Sequence, residues 1–251
     1  MFPVLNIGPL AIQTPGLLIV IGIYVSFLVV EKQSKRYALN ANDVSNLIFL
    51  YLISTIIIGR LAYVFQFPSI FIENPLSIFS ISPSLFDFTS GLILALLVAV
   101  VFVQKKKLPL QRILDSLSLP LLIFLIFVFL ALFASGNSYG KPSSLVWSIF
   151  LWGTTRHPLQ IYYIVGLIPV IAINVYLSKK KLLPGQLFFR TVFYVAILVV
   201  FLDFFNGNPN NLILSVNRLQ IIAWFVMVVL VFVNAKYKKK MDEGSNFNLN
   251  S

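Results

Sequence analysis

Long apolar stretches separated by short polar connections dominate the sequence. A helix rises about 1.5 Å per residue and the hydrocarbon core of a bilayer is about 30 Å thick, so about 20 apolar residues can span it. We therefore predict an all-α, polytopic membrane protein with seven transmembrane helices. The predicted spans are Ile12–Val30, Val44–Phe67, Phe86–Val103, Ile113–Phe133, Pro158–Leu177, Gln186–Phe205 and Asn217–Val233.

Positively charged residues lie in four short runs, which follow predicted helices one, three, five and seven. Lys and Arg are retained on the cytoplasmic side of membrane proteins, so we predict the N-terminus outside and the C-terminus in the cytoplasm. Residues 1–240 are predicted to form a single transmembrane domain, with a disordered tail over 241–251. The alternative role of the runs is to bind anionic lipid. The runs are Lys32, Lys35 and Arg36; Lys105 to Lys107 with Arg112; Lys179 to Lys181; and Lys236 with Lys238 to Lys240.

Composition agrees with this pattern and excludes several kinds of site. Hydrophobic residues make up 59% of the 251 residues and charged residues 11%, whereas about a quarter of a soluble protein is charged. The net charge of +11 lies in short runs between apolar stretches, so nucleic acid is not a predicted partner. Cysteine is absent and there is one histidine, so we predict no metal site and no cofactor. The N-terminus lacks a basic region, and we expect no removable signal peptide.

Charged residues within the predicted spans are the first functional candidates, because charge is costly in a bilayer. Arg60 lies inside the second span, where the alternative is that its side chain snorkels to the interface. Asp203 lies near the outer end of the sixth span, and Arg218 begins the seventh from the same side. These two residues either pair as a structural clamp or serve the function. Arg190 is interpreted as interfacial.

The connection before the fifth span adds a second group of candidates. Arg156 and His157 precede Pro158, at a predicted helix N-terminus whose free amide groups attract anions. The alternative is a capped helix after a Gly-Pro turn. Five residues thus gather positive charge on the outer side, and we predict an anionic lipid headgroup as the ligand. They are Arg60, Lys141, Arg156, His157 and Arg218.

Short motifs occur in a fixed order along nearly the whole chain. They are Leu5-Asn6-Ile7-Gly8-Pro9-Leu10-Ala11-Ile12, Gly59-Arg60-Leu61-Ala62-Tyr63-Val64, Lys107-Leu108-Pro109 with Arg112 and Asp115, Gly140-Lys141-Pro142, Trp147, and Arg156-His157-Pro158-Leu159-Gln160-Ile161-Tyr162. In these motifs the chain resembles the prolipoprotein diacylglyceryl transferases, bacterial inner-membrane enzymes with seven helices and the same orientation.

The resemblance implies a reaction and its partners. A diacylglyceryl group would move from phosphatidylglycerol, or another anionic phospholipid, to the lipobox cysteine thiol of a prolipoprotein signal peptide. The implied location is the bacterial plasma (inner) membrane. His157 is the candidate base, Arg60 would hold the phosphate with Arg156, and Asp203 would orient a cation. The other implied substrate-binding residues are Lys141, Arg218, Gly140, Gln160 and Tyr162.

The chain departs from the family pattern at several positions. Thr89 stands where the family has a histidine, Phe129 where it has an arginine, and Leu132 where it has an asparagine. Tyr163 replaces a glutamate. These departures leave open a catalytically impaired relative that binds phospholipid or lipoprotein precursors without turnover. A third hypothesis, a small transporter or channel, would predict paired acidic residues or broken helices near mid-membrane.

Overall fold

A computed structural model of the protein describes residues 3–8, 10–80, 82, 85–207, 212–213 and 216–249. Most of these residues are helical. The α-helices in this part of the chain are α1 (Thr14–Arg36), α2 (Ala41–Gln66), α3 (Pro68–Glu73), α4 (Phe88–Lys105), α5 (Leu110–Ser135), α6 (Leu159–Leu177), α7 (Gln186–Leu202) and α8 (Arg218–Leu249). Short 3₁₀ helices form at Pro75–Phe79 and Asp203–Phe205.

Six helices of the described chain are long and apolar enough to cross a membrane. Between 11% and 33% of the residues in the most apolar part of each are buried, so most of their apolar side chains face outward, as lipid contact requires. The prediction of a polytopic membrane protein is thus confirmed. The apolar part of α8, Arg218–Val233, is shorter, and α8 runs as helix into the segment predicted as a disordered tail. The six helices are Thr14–Arg36, Ala41–Gln66, Phe88–Lys105, Leu110–Ser135, Leu159–Leu177 and Gln186–Phe205.

Short β-hairpins interrupt the helical pattern, and the all-α prediction missed them. In the second hairpin, the two residues between the strands have positive φ, 53° at Trp152 and 77° at Gly153. That conformation forms the tight turn whose twist matches an antiparallel pair, and Trp rarely adopts it, so Gly153 was the one turn signal in this pair. The strands are β1 (Val4–Ile7) with β2 (Leu10–Gln13), β3 (Ile149–Leu151) with β4 (Thr154–Arg156), and β5 (Leu212–Ile213) with β6 (Val216–Asn217).

The chain divides into two compact units, and the unit of residues 34–113 is built on close contact between α2 and α4. Glycines allow this approach. A Cβ added to Gly91 would lie 2.4 Å from the carbonyl oxygen of Thr55 and 3.1 Å from the Cα of Gly59. Small residues at such contacts let helix backbones pack closely where water gives no hydrophobic driving force.

The other unit comprises residues 1–33 and 114–251. Its core lies between α5, α6 and α7, where Leu122, Leu167 and Val170 are buried together. Asp115, 4% exposed, joins α5 to the start of α7: its carboxylate accepts hydrogen bonds from the amides of Gly185 at 2.6 Å and Phe188 at 2.9 Å. A negative group at a helix N-terminus satisfies amides that have no partner within the helix.

The contact at Gly91 predicts a stability loss. We expect Gly91→Ala to lower the free energy of unfolding by about 1–3 kcal/mol, because its methyl group has no room against Thr55. The measurement is thermal unfolding in detergent. Gly16→Ala is the matched control, since a Cβ there meets nothing within 4 Å. Equal stability of the two variants would contradict the packing argument.

Candidate active site

Three chain segments pair side by side next to the start of α6. Segment 139–143 lies in the middle, with 155–157 along one edge and 205–207 along the other. We call them the paired segments. The backbone bonds are Gly140 N to His157 O (3.1 Å), His157 N to Lys141 O (3.1 Å), Ser143 N to Thr155 O (2.9 Å), Lys141 N to Phe205 O (2.7 Å) and Gly207 N to Tyr139 O (3.0 Å).

Gly140 makes this pairing possible. A Cβ at this position would lie 2.5 Å from the carbonyl oxygen of His157 and 2.6 Å from its Cβ, and one at Gly207 would lie 2.4 Å from the carbonyl oxygen of Gly140. Only glycine backbones can approach so closely. Gly140, predicted as a substrate-binding residue, therefore sets the position of His157 directly.

His157 belongs to a hydrogen-bonded group of aromatic side chains, which we call the His157 cluster: His157, Tyr162, Trp147 and Phe205. The Nδ1 atom of His157 lies 3.0 Å from the hydroxyl oxygen of Tyr162, and that oxygen also accepts a 2.8 Å hydrogen bond from Nε1 of Trp147. The ring of Phe205 lies edge-on to His157, with centroids 5.0 Å apart. The imidazole is thus held on two sides.

Arg156 is turned toward backbone oxygens. Its Nε donates to the carbonyl of Leu151 at 3.2 Å and its Nη1 reaches the carbonyl of Gly140 at 3.5 Å, while the guanidinium lies 4.7 Å from the ring centroid of Tyr139. The guanidinium supports the hairpin as well as supplying charge. Arg has five N–H donors, so further donors remain for an anion.

Two other predicted cations are exposed. Lys141 and Arg218 make no side-chain hydrogen bond or ion pair within the described residues, so their charges are available to a ligand. The predicted clamp between Asp203 and Arg218 does not form there. Salt bridges to Asp203 are equally absent from the described chain, and its predicted role in orienting a cation stays a prediction.

Asp203 and Gln160 are buried, at 2% and 1% exposure, and each makes hydrogen bonds to another part of the chain. Asp203 accepts a 2.8 Å bond from the side chain of Asn206, and its carbonyl accepts a 3.0 Å bond from the side chain of Asn217. Gln160 donates to the carbonyl of Asn137 at 2.5 Å. These contacts give both side chains a role in holding the ends of α6 and α7.

The amides at the start of α6 are only partly free. Leu159 N donates to the carbonyl of His157 at 2.9 Å, and Ile161 N donates to the carbonyl of Pro158 at 3.0 Å. The sequence predicted Pro158 as the first residue of the helix, but Pro158 is the N-cap residue and the helix begins at Leu159. The helix N-terminus therefore offers an anion fewer donors than the sequence suggested, and the side-chain cations are its main source of charge.

An apolar cavity of about 570 Å³ opens beside the His157 cluster. The hydroxyl of Tyr162 and the indole N–H of Trp147 belong to residues of its wall, whose other members are apolar or glycine. Such a space fits a hydrocarbon chain or an apolar peptide segment, with its polar contacts confined to one side. The lining residues are Phe133, Trp147, Ile149, Pro158, Ile161, Tyr162, Val165, Gly166, Leu198 and Leu202.

Arg60 lies in the unit of residues 34–113, where it is 7% exposed. Its Nε donates to the carbonyl of Ile78 at 2.9 Å, its Nη1 to that of Leu85 at 2.6 Å, and its Nη2 to that of Ser77. The rings of Phe71 and Phe86 lie near the guanidinium. Three of its five N–H groups are thus committed to backbone oxygens, and the side chain stays buried instead of snorkelling into water.

Asp87 follows the residues whose carbonyls Arg60 binds, and its side chain caps α4. Its carboxylate accepts hydrogen bonds from the hydroxyl and the amide of Ser90, from the side chain of Gln66 and from the amide of Thr89. These bonds, that of the Ser90 hydroxyl foremost, hold the pKa of the Asp87 carboxyl below its usual value. Thr89, at the position where the resemblance implied a histidine, is exposed and contributes its amide to this cap.

Comparison with known proteins agrees with the motifs. A model of the prolipoprotein diacylglyceryl transferases matches residues 3–235. The chain belongs to the prolipoprotein diacylglyceryl transferase family. Three relatives are named phosphatidylglycerol–prolipoprotein diacylglyceryl transferase. That of Bordetella parapertussis is 30% identical over 192 residues (72% of this chain, 73% of the relative). That of Rhodospirillum rubrum is 29% identical over 262 residues (95% of this chain, 94% of the relative). That of Geobacter sulfurreducens is 26% identical over 214 residues (82% of this chain, 82% of the relative).

Two departures of this family member from the family pattern contact one another. The rings of Phe129 and Tyr163 stack with centroids 4.4 Å apart and planes within 4°. The resemblance implied an arginine and a glutamate at these positions. The stacked pair fills the space between α5 and α6 at these positions and leaves no buried charge there without a partner.

The structure adds residues that sequence reasoning did not place in the site. Trp147 was noted as part of a motif but not as a site residue, and Phe205 and Tyr139 were not singled out. All three are aromatic residues close to the chain's Gly-Lys-Pro and Arg-His-Pro elements in space. Their signal in the sequence was an aromatic side chain between the apolar spans or, for Phe205, at the end of one, and aromatic residues are common at membrane interfaces for other reasons.

The bonds of Arg60 predict a structural loss on its removal. We expect Arg60→Met to lower the free energy of unfolding by about 3 kcal/mol, because three carbonyls lose a charged donor. Proteolysis within residues 74–86 should become faster, and Arg60→Lys should restore only part of the stability because an ammonium lacks the planar fork.

The control for Arg60→Met is Arg218→Met, which removes an exposed cation. It should leave proteolysis of residues 74–86 unchanged. If Arg60→Met has the same free energy of unfolding and the same rate of proteolysis as the unchanged protein, the structural role of Arg60 is wrong, and only a role in ligand binding is left.

Proposed function

We propose that this protein transfers a diacylglyceryl group from phosphatidylglycerol to the lipobox cysteine thiol of prolipoproteins, as the names of its relatives describe. The observation that carries the proposal is the joining of the chain's Gly-Lys-Pro and Arg-His-Pro motifs, which resemble those of the family. Their residues pair backbone to backbone beside an apolar cavity, in one unit of the molecule.

The arrangement suits a reaction between a lipid and a thiol. A thiolate is the nucleophile, and a thiol ordinarily ionises near pH 8.5, so a base accelerates its formation at neutral pH. Attack on the diacylglyceryl carbon forms a thioether and releases glycerol phosphate, whose charge a cation stabilises. The cavity beside His157 offers space for the apolar part of a substrate.

The proposed roles follow from position and charge. His157 acts as the base, since histidine ordinarily titrates near neutral pH. Arg156, Lys141 and Arg218 supply positive charge for the phosphate. Arg60 and Asp203 stay predicted catalytic residues, and the bonds of both support chain segments. Gln160 and Gly140 would contribute by holding the paired segments in place.

The proposed topology completes the assignment. The apolar part of α8 would form a seventh span, with the N-terminus outside and the C-terminus in the cytoplasm of a bacterial inner membrane. The distribution of Lys and Arg supports this orientation. Residues 1–240 would then form one transmembrane domain, beyond which α8 continues to Leu249 where the sequence predicted a disordered tail over 241–251. The proposed partners are phosphatidylglycerol and a prolipoprotein signal peptide.

Thioether formation tests the function. The purified protein, reconstituted with phosphatidylglycerol and a lipobox peptide, should convert the peptide cysteine to its diacylglyceryl thioether, detected by mass spectrometry. We expect His157→Ala to lower the rate by about 10²–10⁴-fold, the range for loss of a general base. Arg156→Ala should also be slower, because it removes charge near the phosphate.

Lys180→Ala is the matched control for Arg156→Ala. Lys180 lies 4.8 Å from the ring centroid of Tyr176, as Arg156 does from Tyr139 at 4.7 Å, but outside the paired segments. Its transfer rate should equal that of the unchanged protein. Absence of thioether while phosphatidylglycerol still binds would refute the transferase function and support the relative that binds lipid without turnover.

A further inference from the structure

The hydrogen bonds around Tyr162 determine where its proton points. The indole N–H of Trp147 can only donate, so the Tyr162 oxygen accepts that 2.8 Å bond. Among the described residues, the phenolic hydrogen can be donated to Nδ1 of His157, 3.0 Å from the Tyr162 oxygen. A neutral imidazole that accepts at Nδ1 carries its hydrogen on Nε2. The bonds of the cluster are thus satisfied by the Nε2–H tautomer of neutral His157.

This tautomer changes how His157 can act as a base. The nitrogen with a free electron pair is Nδ1, and the hydroxyl of Tyr162 occupies it. A thiol proton therefore reaches His157 through the phenolic oxygen. That oxygen donates one hydrogen bond and accepts one from Trp147, so one of its two lone pairs remains for the hydrogen of a thiol.

The cavity brings an apolar substrate next to the residue that carries this lone pair. Tyr162 and Trp147 are wall residues of the 570 Å³ cavity, and around them lie side chains such as Phe133, Ile149 and Val165. An apolar peptide segment that carries one thiol fits such a wall, because the phenolic hydroxyl of Tyr162 gives the thiol a polar partner among apolar side chains.

We propose that Tyr162 is a catalytic residue that relays the substrate thiol proton to His157, with Trp147 as the positioning residue for its hydroxyl. This inference rests on the proposed transferase function. The S–H bond breaks as the proton passes to the Tyr162 oxygen, while the phenolic proton passes to Nδ1 of His157. The thiolate forms the S–C bond, the C–O bond to phosphate breaks, and its electron pair leaves with glycerol phosphate. The imidazolium returns the proton through Tyr162 to that phosphate.

Several charged and phenolic groups lie on the elements next to the relay. Lys141 and Arg156 lie on the paired segments, Asp203 lies at the end of α7, and Tyr139 and Tyr163 are the neighbouring phenols. The relay acts only while the substrate thiol holds its proton, and a thiol ordinarily ionises near pH 8.5. The pH dependence expected for the relay is therefore that of the substrate thiol.

Tyr162→Phe tests the relay, because it keeps the ring and removes the hydroxyl. At pH 7 we expect thioether formation about 10²-fold slower, as loss of general base catalysis predicts. The deficit should shrink as the pH rises above about 8.5, where the thiol ionises without a base. Trp147→Phe should show a smaller loss of about tenfold, the value of one hydrogen bond of about 1.4 kcal/mol.

The transfer rate with a selenocysteine peptide distinguishes a proton relay from a structural role of Tyr162. Its selenol is ionised at neutral pH, so Tyr162→Phe and the unchanged protein should use it at similar rates. Tyr176→Phe, at the other end of α6, is the matched control and should keep full activity at every pH. Size-exclusion chromatography in detergent verifies that each variant is folded.

The outcomes separate the relay from the function on which it rests. If the unchanged protein forms no thioether at any pH, the transferase function fails and the relay fails with it. If the unchanged protein is active and Tyr162→Phe is equally active, or is slower by the same factor at every pH and with the selenol, then the relay alone is overturned. A deficit confined to low pH and absent with the selenol supports it.

Discussion

The need to give every backbone N–H and C=O a partner governs this protein more than any other constraint. In a membrane environment each unpaired group costs several kcal/mol, and helices satisfy the need within themselves. Wherever the chain leaves a helix, a particular device replaces the lost bonds. The 139–143 segment pairs on both edges, Asp115 accepts from amides at the start of α7, and Asp87 does so for α4.

Several charged side chains follow the same rule. Arg60 and Arg156 donate to carbonyls, and Asp115 accepts from amides. A salt bridge in the described residues, Lys106 with Asp43 at 3.8 Å, joins side chains that are 56% and 25% exposed. A charge bound to backbone dipoles gains strong hydrogen bonds without burying an opposite charge, whose desolvation is costly.

Backbone pairing also determines the geometry of the proposed reaction site. Gly140 lets the paired segments approach until His157 is held by its backbone on one side and by Tyr162 on the other. A side chain bonded in this way is held in one orientation, which is what preorganisation of a base requires. The exposed Lys141 and Arg218 keep their charge available because no carbonyl of the described chain holds them.

The sequence by itself determined the membrane class, the approximate spans and most of the candidate residues. Apolar runs of bilayer length and Lys or Arg in the connections are properties of composition, so they survive without knowledge of contacts. It also identified Arg60, Arg156 and His157, because charge and lone histidine are conspicuous in an apolar chain. It missed the hairpins; in the second of them Trp152, which rarely takes a positive φ, stands at the first turn position.

Only the tertiary structure decided what those residues bind. Asp203 does not pair with Arg218: its carboxylate accepts a bond from the side chain of Asn206, and its backbone carbonyl accepts one from the side chain of Asn217. Arg60 donates to three backbone carbonyls. The physical reason is that a backbone carbonyl is the same at every residue. No pattern of side chains marks the carbonyl that will accept a given donor, so such partners emerge only when the chain is folded.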